Sequence, residues 1–359
     1  KVLWVDLTSR TTWTTPTAAY AQKYLGGKGI GIRIVWEGTN GPATDPLGPD
    51  NVLTFDTGPI TGTMMPGSGR CHVSSKSPLT GLLGLTNFGG FFAPELKYAG
   101  YDHVVIKGQA DAPVYLAIDN DEVFIRSAAH MWGMDTYQTP KALREDLQDE
   151  EIKWACIGQA GENLVRYATI MGGTKDAAGR TGLGAVMGAK RLKAIAVRGT
   201  GGLRVAQPDR FVALCERAYR MIQESEAFEE LAYTGSTRGE DLFVKVGFSP
   251  IQNDTLLADG WYDDTVSKEK FWIDHGYQKY ACFNCPVRCR EQYRIPGIGD
   301  GAASCMNYLD IAGKMGLRDN FAWWALDLRC QKYGYDVVSL GGMVAWASEL
   351  YELGIIDSS

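Results

Sequence analysis

The sequence predicts an α+β protein, with a β-rich domain over residues 1–204 followed by a mostly helical domain over 205–359. Three observations lead there. The chain has 359 residues, and at about 150 residues per domain it has room for two cores. Short apolar or alternating runs separated by glycine turns fill the chain as far as Gly201-Gly202. Beyond that pair the apolar residues recur at helical spacing, and strand-like runs almost vanish.

In chain order, the runs at 2–7, 52–55, 103–107, 114–118, 123–126, 153–157 and 194–198 read as strands. Asn120-Asp121 falls between two of them as a hairpin turn. Helical patches are expected at about 17–25, 134–148 and 184–191, with Pro140 in a first helical turn. In the second domain, Phe211, Leu214, Tyr219, Ile222 and Phe228 set a helical period over 208–233. Residues 319–333 and 335–353 repeat that pattern, and Gly354 stands where a helix C-cap belongs.

Composition narrows the function classes. Hydrophobic residues make up 45% and charged residues 22% of the chain, the mix of a globular protein. A net charge of −6 without any Lys/Arg block argues against a nucleic-acid partner. No apolar run reaches the ~18 residues of a membrane span. No basic-then-apolar leader opens the chain, so a cytoplasmic location is expected, and the missing Met suggests that a few leading residues are absent.

There are 43 glycines, where average usage would give roughly 25. They cluster in three stretches. One is Tyr24-Leu-Gly-Gly-Lys-Gly-Ile-Gly31. Another runs from Thr57-Gly-Pro-Ile-Thr-Gly62 through Gly67-Ser-Gly-Arg70 to Thr86-Asn-Phe-Gly-Gly90. The last is Ala177-Ala-Gly-Arg-Thr-Gly-Leu-Gly184. Such loops expose successive backbone N–H groups to an anion. Arg70, Lys76, Arg180 and Lys190 are expected to add charge for phosphates. None of the loops has the dinucleotide or Walker spacing.

The eight cysteines are uneven. Cys71, Cys156, Cys215, Cys305 and Cys330 stand alone and read as small buried hydrophobes. Cys282-Phe-Asn-Cys285-Pro-Val-Arg-Cys289 places three thiols within one turn-sized segment. Three thiolates suit one face of a cubane [4Fe–4S] cluster, which takes four ligands. Arg288 and Arg290 would offset its charge. A zinc site wants a second ligand pair, and plain structural thiols are the remaining reading. Cys305 and Cys330 are fourth-ligand candidates in principle only.

Taken together, these residues resemble the tungsten-containing aldehyde:ferredoxin oxidoreductase family, which also includes the benzoyl-CoA reductase tungsten subunit. The matching stretches are Tyr24–Gly27, 57–62, Gly69-Arg70, Lys76-Ser-Pro-Leu-Thr-Gly81, Asn87-Phe-Gly-Gly-Phe-Phe92, Glu95-Leu-Lys-Tyr-Ala-Gly100, Gly161-Glu-Asn163, Ala177-Ala-Gly-Arg180, Gly184-Ala-Val-Met-Gly188, 192–197 and the cysteine cluster. The resemblance implies tungsten chelated by two pyranopterin-dithiolenes (tungstopterin), a [4Fe–4S] cluster on Cys282, Cys285 and Cys289, and Mg²⁺ on the backbone carbonyls of Asn87 and Ala177. It further implies that Arg70 lies near pterin and cluster. Gly89, Gly90, Gly179 and Arg180 would lie in the pterin loops, and Asp336 in a pterin-contacting segment.

Two departures from the family pattern stand out. Asp176 occupies a place usually basic. At Met306-Asn-Tyr-Leu-Asp310, Asn307 and Leu309 stand where the aldehyde-oxidising members carry glutamates, which leaves Asp310 and Tyr308 as candidate catalytic side chains. The function implied is an aldehyde oxidoreductase, oxidising the aldehyde or reducing the acid, coupled to a ferredoxin-like carrier or electron-transfer subunits. The alternatives are low-potential reduction of an aromatic acyl-CoA, or a cluster-bearing electron-transfer subunit of a larger complex. A homo-oligomer is also compatible. Family chains run to about 600 residues, so a C-terminal half is expected on the same or a separate chain. The reason internal to the sequence is that three thiolates do not complete a cubane, and Trp323, Trp324, Leu326, Met343 and Trp346 are expected to lack a packing partner.

Overall fold

The computed structural model describes residues 1–235, 243, 245–249, 251–256, 261, 268–303, 307 and 309–357. The chain divides into two compact units. The first comprises Lys1–Tyr219, Cys282–Cys285 and Lys332–Tyr335; the second comprises Arg220–Ala281, Pro286–Gln331 and Asp336–Ser359.

The first unit is built on two six-stranded sheets. One has the order β2-β1-β6-β3-β4-β5, from β1 (Val2–Asp6), β2 (Thr11–Thr15), β3 (Leu53–Thr57), β4 (Cys71–Lys76), β5 (Leu83–Phe88) and β6 (His103–Lys107). Within it only β1 and β6 run parallel, with Val2 opposite His103. The other has the order β11-β10-β9-β12-β7-β8, from β7 (Val114–Asp119), β8 (Glu122–Ser127), β9 (Lys153–Cys156), β10 (Ile170–Met171), β11 (Ala177–Ala178) and β12 (Leu192–Arg198). Asn120 and Asp121 turn β7 into β8, and Asn120 takes φ +51°, as a tight hairpin requires.

Alternation along the strands decides what each face packs against. Val104 and Ile106 of β6 enter a core shared by both sheets, with Phe55, Phe88, Leu116, Ile195 and Val197. Phe92 and Leu96 of helix α3 (Phe92–Tyr98) and Leu183, Val186 and Met187 of α6 (Leu183–Ala189) join it. Val105, between them, points the other way and meets Ile30, Ile34 and Val35 of α2 (Lys28–Gly38). Burial of this kind is worth about 1.5–3 kcal/mol per large aliphatic or aromatic side chain. The remaining helices of this part are α1 (Ala18–Tyr24), α4 (Gln138–Leu147), α5 (Gln159–Glu162) and α7 (Pro208–Gln223).

The second unit is more mixed than its sequence texture suggests. Besides α8 (Phe228–Thr234), α9 (Lys268–His275), α10 (Asn320–Tyr333) and α11 (Val337–Glu352), it holds a three-stranded antiparallel sheet of β13 (Gly276–Tyr280), β14 (Arg290–Ile295) and β15 (Gly299–Ala303). The expectation that strands vanish after residue 201 is therefore corrected. β14 alternates Glu291, Tyr293 and Ile295 inward with Arg and Gln outward, so its charges hide a period of two. Trp323 and Trp324 also correct the expectation of unpartnered faces. Both are fully buried, Trp323 against Phe271 (ring centroids 4.9 Å) and Trp324 against Tyr293 (5.1 Å). Leu326, Met343 and Trp346 are exposed. Among the described residues no helix is long and apolar enough to cross a membrane.

Candidate cofactor site

Several segments of the first unit meet at Gly90, just beyond β5. Gly90 has φ +83°, a conformation that costs an L side chain roughly 1 kcal/mol or more. A Cβ there would stand 2.8 Å from Asp176 Oδ2. Its carbonyl lies equally close to the Gly67–Arg70 loop, since a Cβ on Gly69 would stand 2.7 Å from Gly90 O. The same carbonyl accepts the Phe283 N–H at 3.1 Å. Segments 67–70, 87–90 and 173–176 thus meet the cysteine turn at one residue. β11 packs against β5, which puts Asn87 and Ala177 on neighbouring strands.

The cysteine turn itself is closed by Cys285 N–H donating to Cys282 O at 3.1 Å. Asn284, at φ +53°, turns the chain. Phe283 packs edge-on against Phe91 and Tyr98, at 6.2 and 6.3 Å between centroids. Tyr219 donates its phenol to Asn284 O at 3.2 Å. Burial, then the neighbouring Cys285 sulfur, raises the Tyr219 pKa. Cys282, Cys285 and Cys289 are cysteines of intermediate burial, a soft donor set suited to an iron–sulfur group. Among the described residues, no three His, Cys, Asp or Glu side chains gather closely enough to hold a metal ion.

The other expected residues differ in exposure. Arg70 and Arg180 are exposed, Gly89 and Gly90 buried, Gly179 and Asn87 half-buried, and Ala177 exposed. Lys76 and Lys190 do not serve as free phosphate charges, and that expectation is corrected. Lys76 Nζ donates to Pro42 O and Thr44 O at 2.6 and 2.7 Å. Lys190 Nζ donates to Gly108 O at 2.9 Å and Pro49 O at 3.3 Å, and its residue is 1% exposed. Both lysines hold loops by their carbonyls. Beside the Gly62–Thr63 loop, Tyr98, Leu203, Phe211 and Val212 line an apolar cavity of about 350 Å³.

In the second unit, Asp310 is 3% exposed and sits on a π-helical turn, Leu309–Gly313. Lys314 Nζ lies 3.6 Å from its carboxylate. π-Turns recur at functional sites. Asn307 is buried and donates Nδ2 to Asp327 Oδ1 at 2.6 Å, while Gln331 donates to Asp327 Oδ2 at 2.7 Å. Sequence reasoning missed Asp327, which lies 20 residues from Asn307 and carries no motif. Asp336 caps α11, accepting the Ser339 N–H at 2.8 Å. Cys330 is buried, and its thiol pKa is pushed well up by burial, then by Asp327 and Asp336. Tyr308 and Cys305 lie outside the described residues.

Two stacked glycine-loop sheets with a cysteine turn fastened to them define a fold found in a solved enzyme. The structure superposes with a TM-score of 0.91 and 34% identity on a chain of the active-site complex BamBC of benzoyl coenzyme A reductase bound to 1,5-dienoyl-CoA, covering 99% of this chain and 56% of that one. The model for the aldehyde ferredoxin oxidoreductase N-terminal domain matches residues 2–199, and that for its domains 2 and 3 matches residues 213–359. The chain belongs to the aldehyde ferredoxin oxidoreductase family. It is 38% identical to the tungsten-containing aldehyde ferredoxin oxidoreductase of Pyrococcus abyssi over 99% of its length, and spans 59% of that protein. It is 31% identical to the WOR-like subunit of an aliphatic sulfonate oxidoreductase of Pyrococcus furiosus, covering 93% of this chain and 56% of that one.

Proposed function

We propose that this chain carries the tungstopterin and [4Fe–4S] machinery of an oxidoreductase that oxidises an aldehyde, or reduces the acid, exchanging electrons with a ferredoxin-like carrier or electron-transfer subunits in the cytoplasm. The observation that carries this reading is the meeting of three amide-rich segments and the cysteine turn at Gly90. The similarity to tungsten-containing aldehyde ferredoxin oxidoreductases supports it.

In this reading the Asn87 and Ala177 carbonyls hold Mg²⁺, a hard cation on oxygen ligands. The amides of Gly89, Gly90 and Gly179 and the charges of Arg70 and Arg180 hold the pterin phosphates. Asp336 is a further candidate pterin contact. Cys282, Cys285 and Cys289 are three of the four cluster ligands. When bound, tungstopterin supplies two-electron chemistry at the metal, and the cluster passes electrons singly. Asp310 is the proton-handling carboxylate, buried and with Lys314 Nζ 3.6 Å away. Tyr308 is the alternative candidate, as a hydrogen-bond donor in place of a carboxylate.

One observation favours a second reading, low-potential reduction of an aromatic acyl-CoA. Position 307 carries a non-ionisable amide, and that amide is engaged with buried Asp327. The two readings part in assay. Protein purified without oxygen is expected to contain tungsten and about four iron atoms per chain, and Cys285→Ala is expected to lose the iron and its low-temperature EPR signal. Aldehyde oxidation with a ferredoxin acceptor supports the first reading; turnover of an aromatic acyl-CoA alone supports the second. A nucleotide in place of the tungsten cofactor would overturn both.

A further inference from the structure

We infer that Asn284 is a positioning residue that couples the cysteine turn to the glycine loops, so that cluster and pterin sites are organised as one element. Its backbone and its side chain both reach the 63–67 loop. Asn284 O accepts the Gly67 N–H at 2.9 Å. Asn284 Nδ2 donates to Thr63 O at 3.4 Å and to Met65 O at 3.3 Å. One residue earlier, the Phe283 N–H donates to Gly90 O. Gly69 lies between these two attachments, with Gly90 O on one side and Phe283 Cβ 3.0 Å from where its own Cβ would be. Gly90 in turn lies against Asp176, next to Ala177. An ordered turn therefore fixes the loops, and ordered loops fix the turn. Coupling of this kind is reciprocal by thermodynamic necessity.

The positive φ of Asn284 offers a competing role, because Asn tolerates the left-handed region. Two substitutions separate the roles. Asn284→Gly keeps the backbone geometry and removes the donor. Asn284→Asp keeps a similar shape and aims a carboxylate at two carbonyl oxygens. A purely conformational role ranks Gly level with or above the native residue and Asp close to it. The coupling role ranks native above Gly above Asp.

The main readout is amide hydrogen exchange on the protein as purified. Each net hydrogen bond is worth about 0.5–1.5 kcal/mol, so losing two is expected to speed exchange in segments 63–67 and 87–91 roughly tenfold in Asn284→Gly, and more in Asn284→Asp. A change confined to 282–285, or an Asp variant indistinguishable from native, overturns the inference. If Asn284→Asp does not fold, Tyr219→Phe removes the phenol bond to Asn284 O and gives a smaller change in the same segments; no change there also overturns it.

A second readout rests on the cofactor reading above. Iron and tungsten contents are expected to fall together in Asn284→Gly, and loss of iron with tungsten untouched overturns the coupling of the two sites. If the native protein holds neither metal, the cofactor reading fails, while the exchange data still decide whether turn and loops are coupled.

Discussion

Lys190 carries a consequence for pH that its neighbours set. Burial, opposed by Asp50 and Asp6, brings its pKa down from 10.5 to about 8. Above pH 10.5 the amine is neutral folded or unfolded. Between 10.5 and 8 the unfolded chain holds the proton and the folded chain does not, so Lys190 makes stability rise with pH across this window. Below 8 both states are charged, and the desolvation penalty on the fold is complete. The difference in Tm between native protein and Lys190→Met is therefore expected to shift in favour of the native protein from pH 8 to 10.5; a constant difference would show that the folded amine stays charged. A lysine after a glycine loop reads from sequence as a phosphate charge, because sequence does not reveal that Gly108 and Pro49 place carbonyls over it. Asn284 escaped notice for a related reason. It reads as a spacer inside the cysteine motif, and its partners lie more than 200 residues earlier.

At the scale of elements, helix α11 crosses the π-turn at Gly341. A Cβ there would run into Asp310 O, whereas a Cβ on Gly342 would meet only Lys314 Nζ at 3.8 Å. Gly341→Ala is expected to cost about 1–3 kcal/mol through forced displacement of the turn. Gly342→Ala is expected to be neutral, or to gain up to about 1 kcal/mol from helix propensity. Thermal melts of the two variants check this, and equal Tm values would show that the crossing is loose. The strands with plain apolar patterns were legible, among them β1, β3, β6, β7 and β12. Helix α2 was not, because Gly29 and Gly31 make its start look like a continuation of the preceding glycine loop. Its signal was the spacing of Ile30, Ile34 and Val35, all of which are buried. Strands β4 and β5 were hidden by small polar residues such as Ser74 and Ser75, which lie inside the fold.

For the molecule as a whole, the largest core contains no residue of the cysteine turn. Unlike small zinc modules, which unfold when stripped, this protein is expected to keep its β-sheet circular dichroism after anaerobic chelation of its metals; collapse of that signal would mean that metal binding and folding are one event. The α+β class was legible because strand and helix periods differ, and the convergence at Gly90 was not, because it joins segments far apart in sequence. That separation matters during synthesis. The last strand of the two large sheets, β12, ends at Arg198, yet the segment that ties the loops together begins at Cys282, about 85 residues later. At ribosomal speeds of 5–20 residues per second, the finished sheets precede their cysteine turn by roughly 4–17 s. Through that interval Gly67 N–H and Gly90 O have not yet met their partners, and the nascent loops stand open at the place proposed for the cofactor phosphates.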